Sequence, residues 1–338
     1  MKKNLKILRW LPGVIISIAV VFFISRAVDF NEVANAIKNI GTLNILIIAL
    51  ITSASLGVRA IAWMKLLPKM KFMDAFLLLN EAYLFNNLIP RSGELVKTVL
   101  FAKPAQESSY RIISSVIVER SLDLVIAASM FFITFPFIPL TPELDSIRPI
   151  AFFLLILFFV FLVIAFLIAL NAEKVIELLG KLGKKSSFFI EKILPKIEMV
   201  IDGFKILTNW RQIISIFFWI AISWFLWVLL LFIGLKAMHG ETRFWWAIFT
   251  EGVLALGIAL PSAPAGLGVF EGTMVFGLSL FDIPKETSFG LAVVIHTLQI
   301  AMTSIIGFIA LLRQGESLSA VLQRIKSVEK KDDKKQQD

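Results

Sequence analysis

The sequence predicts an all-α polytopic membrane protein: six full transmembrane helices and two re-entrant hairpins broken at Pro and Gly. Three observations predict it. The chain of 338 residues is 58% hydrophobic, with a mean hydropathy of +0.83. Residues 149–170, 212–235 and 287–312 carry no Asp, Glu, Lys or Arg, and about 20 apolar residues cross a bilayer. These runs do not alternate polar with apolar, as a barrel strand must.

The helices are expected at about 10–27, 41–62, 112–135, 148–170, 211–236 and 287–312. The first follows Lys2, Lys3, Lys6 and Arg9, and no small-x-small cleavage site follows it. It therefore reads as an uncleaved helix rather than a signal peptide. Arg59, Lys65, Lys69 and Lys71 follow the second helix. Eight Lys and Arg fall in 171–211, and more follow residue 312. All four blocks share one side if each helix crosses once. The opposite loops, 26–38, 136–148 and 236–243, are poorer in Lys and Arg. The positive-inside rule then puts both termini in the cytoplasm.

The insert at about 171–209 repeats apolar residues at helical spacing and reads as amphipathic cytoplasmic helices. The tail, 316–338, is charged and expected to be disordered. Trp210, Trp245 and Trp246 suit interfacial aromatic belts.

Two stretches, 72–104 and 243–282, each hold an apolar arm, a Pro/Gly break and a second arm too short to span. The first breaks at Pro90 and Gly93. The second breaks at Pro261, Pro264, Gly266 and Gly268. Charge parity fits re-entry, but it fits a spanning pair equally well. The order helix, helix, hairpin, helix then occurs twice, at about 10–138 and 147–312, inside one domain of 1–315. The first unit starts inside and the second outside, which makes an inverted repeat. Broken backbone in a membrane needs protein or a water-filled cavity to satisfy it.

Charged groups inside spans are costly and commonly functional. Here the first hairpin supplies Glu81, Arg91, Glu94 and Lys97, with Asn87 on its polar stripe. The third helix supplies Glu119, Arg120 and Asp123, and the second hairpin Glu251 and Glu271. Glu119 and Asp123 share a face at i,i+4, as do His296 and Gln299 at i,i+3. Two readings stay open. Arg91 and Arg120 hold an anionic group, for which Arg is suited by its paired donors. The half-helix starting near Ser92 adds its amides. Alternatively, the arginines pair with Glu94, Glu119 or Asp123 and only fasten the hairpin. His296 reads as a hydrogen-bonded core residue, and Gly266 and Gly268 as turn formers.

No cysteine is present, and His239 and His296 lie far apart. A disulfide framework is excluded and a His/Cys zinc site is disfavoured. No metal or cofactor is expected. The net charge of +9 fits the cytoplasmic basic loops better than nucleic acid.

"NNLIPRSGELVKTVLF", "VERSLDLV" and "LPSAPAGLGVFEGTMVF" resemble the three signature stretches of the lysylphosphatidylglycerol synthase transmembrane region family, also called flippase-like or UPF0104. The resemblance spans about 5–315. One departure is Ala265, where the family usually has glycine. The best-known members join this region to a soluble aminoacyltransferase domain and move aminoacylated phosphatidylglycerol to the outer leaflet, and stand-alone members also occur. This chain ends at residue 338, shortly after the sixth helix. The resemblance therefore implies the flippase half alone, in the cell membrane of a prokaryote.

The expected function is a lipid transporter that takes a phosphate-bearing headgroup into a polar cavity. Arg91, Glu94, Asn87, Arg120 and Glu271 would bind substrate. Glu119, Asp123, Lys97, His296 and Gln299 would support them or carry protons. The expected partners are a phospholipid or polyprenyl-phosphate lipid and the membrane itself. There is no G-x-x-x-x-G-K-[ST], so transport is facilitated or ion-coupled. The alternatives are a membrane enzyme acting on a lipid carrier, or a partner subunit of one. The sequence leaves the oligomeric state open.

Overall fold

A computed structural model of the chain describes residues 28–138, 171–182, 209–258 and 261–315, with isolated positions such as Ser17 outside them. Most of the helices expected at 10–27 and 148–170, most of the insert after 182 and most of the tail lie outside the described residues.

Every regular element among the described residues is helical. α1 is Phe30–Leu66, α2 Phe72–Leu88, α3 Gly93–Leu100, α4 Ala102–Ala105 and α5 Ser109–Thr134. α6 is Ala172–Leu182, α7 Trp210–His239, α8 Phe244–Ile258, α9 Val269–Ser279 and α10 Lys285–Gln314. Of these, α1, α7 and α10 are long and apolar enough to cross a membrane. α5 has the length, with 26 residues, but holds Arg111, Glu119, Arg120 and Asp123.

One expectation fails at the start of α1. The loop expected at 26–38 is mostly helix. Asp29 caps it, accepting from the amides of Asn31 at 2.7 Å and Glu32 at 3.4 Å. Val33, Ala36 and Ile40 recur at helical spacing and are buried. Gly41, at φ 71° and ψ 151°, separates this short piece from the membrane length.

Many of the buried hydroxyls satisfy themselves. Thr52 donates to the Ile48 carbonyl at 2.8 Å and Ser114 to that of Tyr110 at 2.9 Å. This back-bonding removes free donors where no water reaches. The outer faces are apolar: Leu50, Phe218, Phe276 and Ile305 are all exposed. No more than 33% of the most apolar stretch of α1, α7 or α10 is buried in the protein. Such an outward apolar surface suits lipid and not water.

The helices pack in matching pairs. α1 runs along α7. α2 packs on α10, and α8 packs on α5. α3 meets α5, and α9 meets α10. α1 touches α2, and α7 touches α8. Exchanging the two halves of the chain turns each of these contacts into another of the set. The backbone follows the same plan. Arg91 and Gln106, at φ 58° and 53°, bracket the short arm of the first half. Ala265 and Asp282, at φ 59° and 57°, bracket that of the second. α5 begins three residues after Gln106, and α10 begins three residues after Asp282.

Small residues allow the closest approaches, as membrane packing requires. A Cβ at Gly307 of α10 would lie 2.6 Å from the Asn80 carbonyl oxygen of α2. A Cβ at Gly93 would lie 2.9 Å from the Ala82 carbonyl oxygen, so α3 folds back tightly on α2. Trp245 and Trp246 pack on Phe281, with ring centroids 5.0 and 5.2 Å away. Trp210 is exposed.

Candidate functional site

Charge concentrates where α3 folds back against α5. Glu119 and Asp123 do share a face of α5, and both meet Arg59 of α1. Arg59 donates to the two Asp123 oxygens at 2.7 and 2.8 Å, and its Nε lies 3.3 Å from Glu119. Lys97 of α3 donates to Glu119 Oε2 at 3.0 Å. Two tryptophans complete the set. Trp63 Nε1 donates to Glu119 at 2.9 Å, and Trp224 Nε1 donates to Asp123 at 2.9 Å. Lys97 also lies 4.9 Å from the Trp63 ring centroid, a cation–π distance. Lys97 is 1% exposed, Glu119 1% and Asp123 6%. Four helices, α1, α3, α5 and α7, are thus tied by one network.

The sequence groups Arg59 with the basic residues that follow the second helix. The structure places it inside α1, roughly two turns before the helix ends at Leu66. Its partners are on α5, some 60 residues further along the chain. Neither that pairing nor the donor roles of Trp63 and Trp224 has a local signal in the sequence.

The rim of the network is open. Arg120 donates to Glu94 at 2.7 Å and to Asp123 at 3.3 Å. The Arg120 and Glu94 side chains are 45% and 52% exposed. Arg91 is exposed, in the left-handed backbone conformation, in the loop between α2 and α3. Ser92 precedes α3, as expected. Its hydroxyl donates back to the carbonyls of Phe85 and Ile89, both at 2.9 Å, and so fastens the break to α2. One donor inside the network is unmet: Arg59 Nη1 is buried and has no hydrogen-bond partner among the described residues.

The second break carries a different group. His296 of α10 is 4% exposed and Glu271 of α9 is 8% exposed. His296 Nδ1 lies 2.6 Å from Glu271 Oε1, and Nε2 lies 3.0 Å from the Ala265 carbonyl oxygen. Glu271 Oε2 accepts the Gly268 amide at 2.7 Å. The Phe270 ring stacks on His296 at 4.2 Å. Gly266 and Gly268 take positive φ, as turn formers do. Ala265 takes φ 59°, a conformation that glycine adopts more easily. Ser17 accepts the Ala263 amide at 2.8 Å.

α10 brings the two breaks together. Asn87, near the end of α2, donates to Thr303 and Ser304 at 3.0 and 3.1 Å. The turn Pro264–Gly266 also packs on α2. Gln299 lies on α10 between His296 and Thr303 and is half-buried. At the far end, Gln314 donates to the buried Glu81 at 2.6 Å. Among the described residues no three His, Asp or Glu cluster as a metal site would.

Both breaks, and the charged groups they carry, fall within the part of the chain that known proteins share. The family described as the lysylphosphatidylglycerol synthase TM region matches residues 10–307. The chain belongs to that family. A UPF0104 membrane protein of Methanocaldococcus jannaschii is 27% identical over 216 residues, covering 62% of this chain and 84% of its own length. The chain is a membrane protein of this type, with several apolar helices.

Proposed function

We propose that the protein moves a phosphate-bearing lipid headgroup between leaflets, along the polar seam joining the two breaks. The observation that carries this reading is the split between a closed network and an open rim. Arg59, Lys97, Glu119 and Asp123 already neutralise one another. Arg120 is held at the rim by Glu94, and both are about half exposed. A phosphate can take the place of Glu94 on Arg120, because both are acceptors for a guanidinium fork. An incoming oxygen also suits the unmet Arg59 Nη1. The matching helix contacts and bracketing φ values support an inverted repeat, the plan in which broken helices meet at the substrate site. The arms of 17 and 15 residues, α2 and α8, are shorter than a full crossing and support re-entry. On this reading the basic blocks face the cytoplasm with both termini, and the protein works in the cell membrane.

The test is leaflet exchange of labelled anionic phospholipids and polyprenyl phosphates in liposomes containing the purified protein. Arg120→Ala should slow exchange at least about tenfold, the effect of losing about 1.4 kcal/mol of headgroup binding at the rim. No exchange of any lipid, with or without pH and sodium gradients, would sink the transport reading. Covalent change of the added lipid would instead favour a membrane enzyme.

A further inference from the structure

The geometry points to a proton-binding site made by His296 and Glu271, whose occupancy closes the second break. Three contacts decide it. The Ala265 carbonyl can only accept, so His296 Nε2 carries a hydrogen. The Gly268 amide can only donate, so Glu271 Oε2 turns a lone pair to it. His296 Nδ1 and Glu271 Oε1 then face each other at 2.6 Å. Without a hydrogen between them, two lone pairs would meet. The pair therefore holds one proton more than a neutral histidine beside a carboxylate, either as imidazolium with carboxylate or as imidazole with carboxylic acid.

Loss of that proton has one consequence that keeps the Glu271 bond. The remaining hydrogen moves to Nδ1, and Nε2 turns a lone pair to the Ala265 carbonyl. The bond to the broken loop is lost, and the proton leaves to water. Protonation closes the clasp between α10 and the loop, and deprotonation opens it. Other charged groups stand on the helices packed around α9 and α10: Arg59 on α1, Glu81 on α2, Lys236 on α7 and Glu251 on α8. Arg59 is engaged with Asp123, and Glu81 accepts from Gln314 at the far end of α10. Among the described residues, the ion pair of His296 is with Glu271.

The proton site stands on hydrogen-bond geometry alone, whereas its link to transport rests on the reading above. Two measurements separate them. The first is nitrogen NMR of histidine-labelled protein, with His239→Gln removing the second signal. Expected is a His296 with Nε2 protonated and Nδ1 in a shared hydrogen bond, changing as pH rises. A His296 that keeps a bare Nε2 at every pH overturns the site. The second is lipid exchange with lumenal pH followed by a trapped dye. Exchange should change by up to about tenfold per pH unit, the change in proton occupancy that one unit brings. Glu271→Gln keeps both hydrogen bonds through its amide, so it should fold and hold the clasp shut, making exchange slow and insensitive to pH. Exchange that ignores pH in wild type, or stays equally pH-sensitive in Glu271→Gln, overturns the coupling. If no lipid moves at all, the transport reading fails and the NMR result still decides the proton site.

Discussion

Each of the two breaks follows an apolar arm, puts a non-glycine residue at positive φ and restarts with an acid near the new helix. Their chemistry then diverges. In the first, Glu94 reaches Arg120 across a half-exposed rim. In the second, Glu271 reaches His296 in a buried pocket and turns back to cap its own helix. The first break is therefore open to an exchange of partners by a charged ligand. The second is closed to large ligands and responsive to the smallest cation. In the proposed transport cycle, the difference assigns recognition to one break and control to the other.

The largest expected effect lies in the closed network. Asp123→Ala leaves Arg59 and Lys97 to share the single charge of Glu119 and removes the acceptor of Trp224, which should destabilise the fold by roughly 3–5 kcal/mol. Thermal unfolding in detergent measures it. A loss no larger than that of a surface substitution would mean that the network is not what ties α1, α5 and α7. Next comes Ala265→Gly. It relieves left-handed strain of about 1 kcal/mol, partly offset by backbone freedom, so the melting point should hold or rise slightly. A clear fall would show that the Ala265 methyl packs usefully. Smallest is Glu94→Gln, whose exposed pair contributes about 0.5 kcal/mol. Its melting point should barely move while lipid exchange changes. A large loss of stability there would erase the contrast between rim and network.

Much of this architecture is legible in the sequence. Pro90, Gly93, Pro264 and Gly268 mark the breaks because few other residues permit such turns. The spacing of four between Glu119 and Asp123 shows their shared face. The long charge-free runs show α7 and α10. Local pattern does not reveal Arg59 as a network member, because its place near a basic flank imitates a cytoplasmic anchor. Nor does it reveal Trp63 and Trp224 as donors, since tryptophan in an apolar helix usually faces lipid or core. His296 and Glu271 are both visible as candidates, but their pairing depends on how α9 and α10 cross. The helix at 30–40 hides because its polar residues outweigh a weak apolar stripe.

α10 is held at three levels: by Ala265 at His296, by Asn87 at Thr303 and by Glu81 at Gln314. From the first tie to the last is about 27 Å of a straight helix. A rod pinned at three heights does not creep. Any slide along its axis must break all three ties together, so such a motion has a threshold.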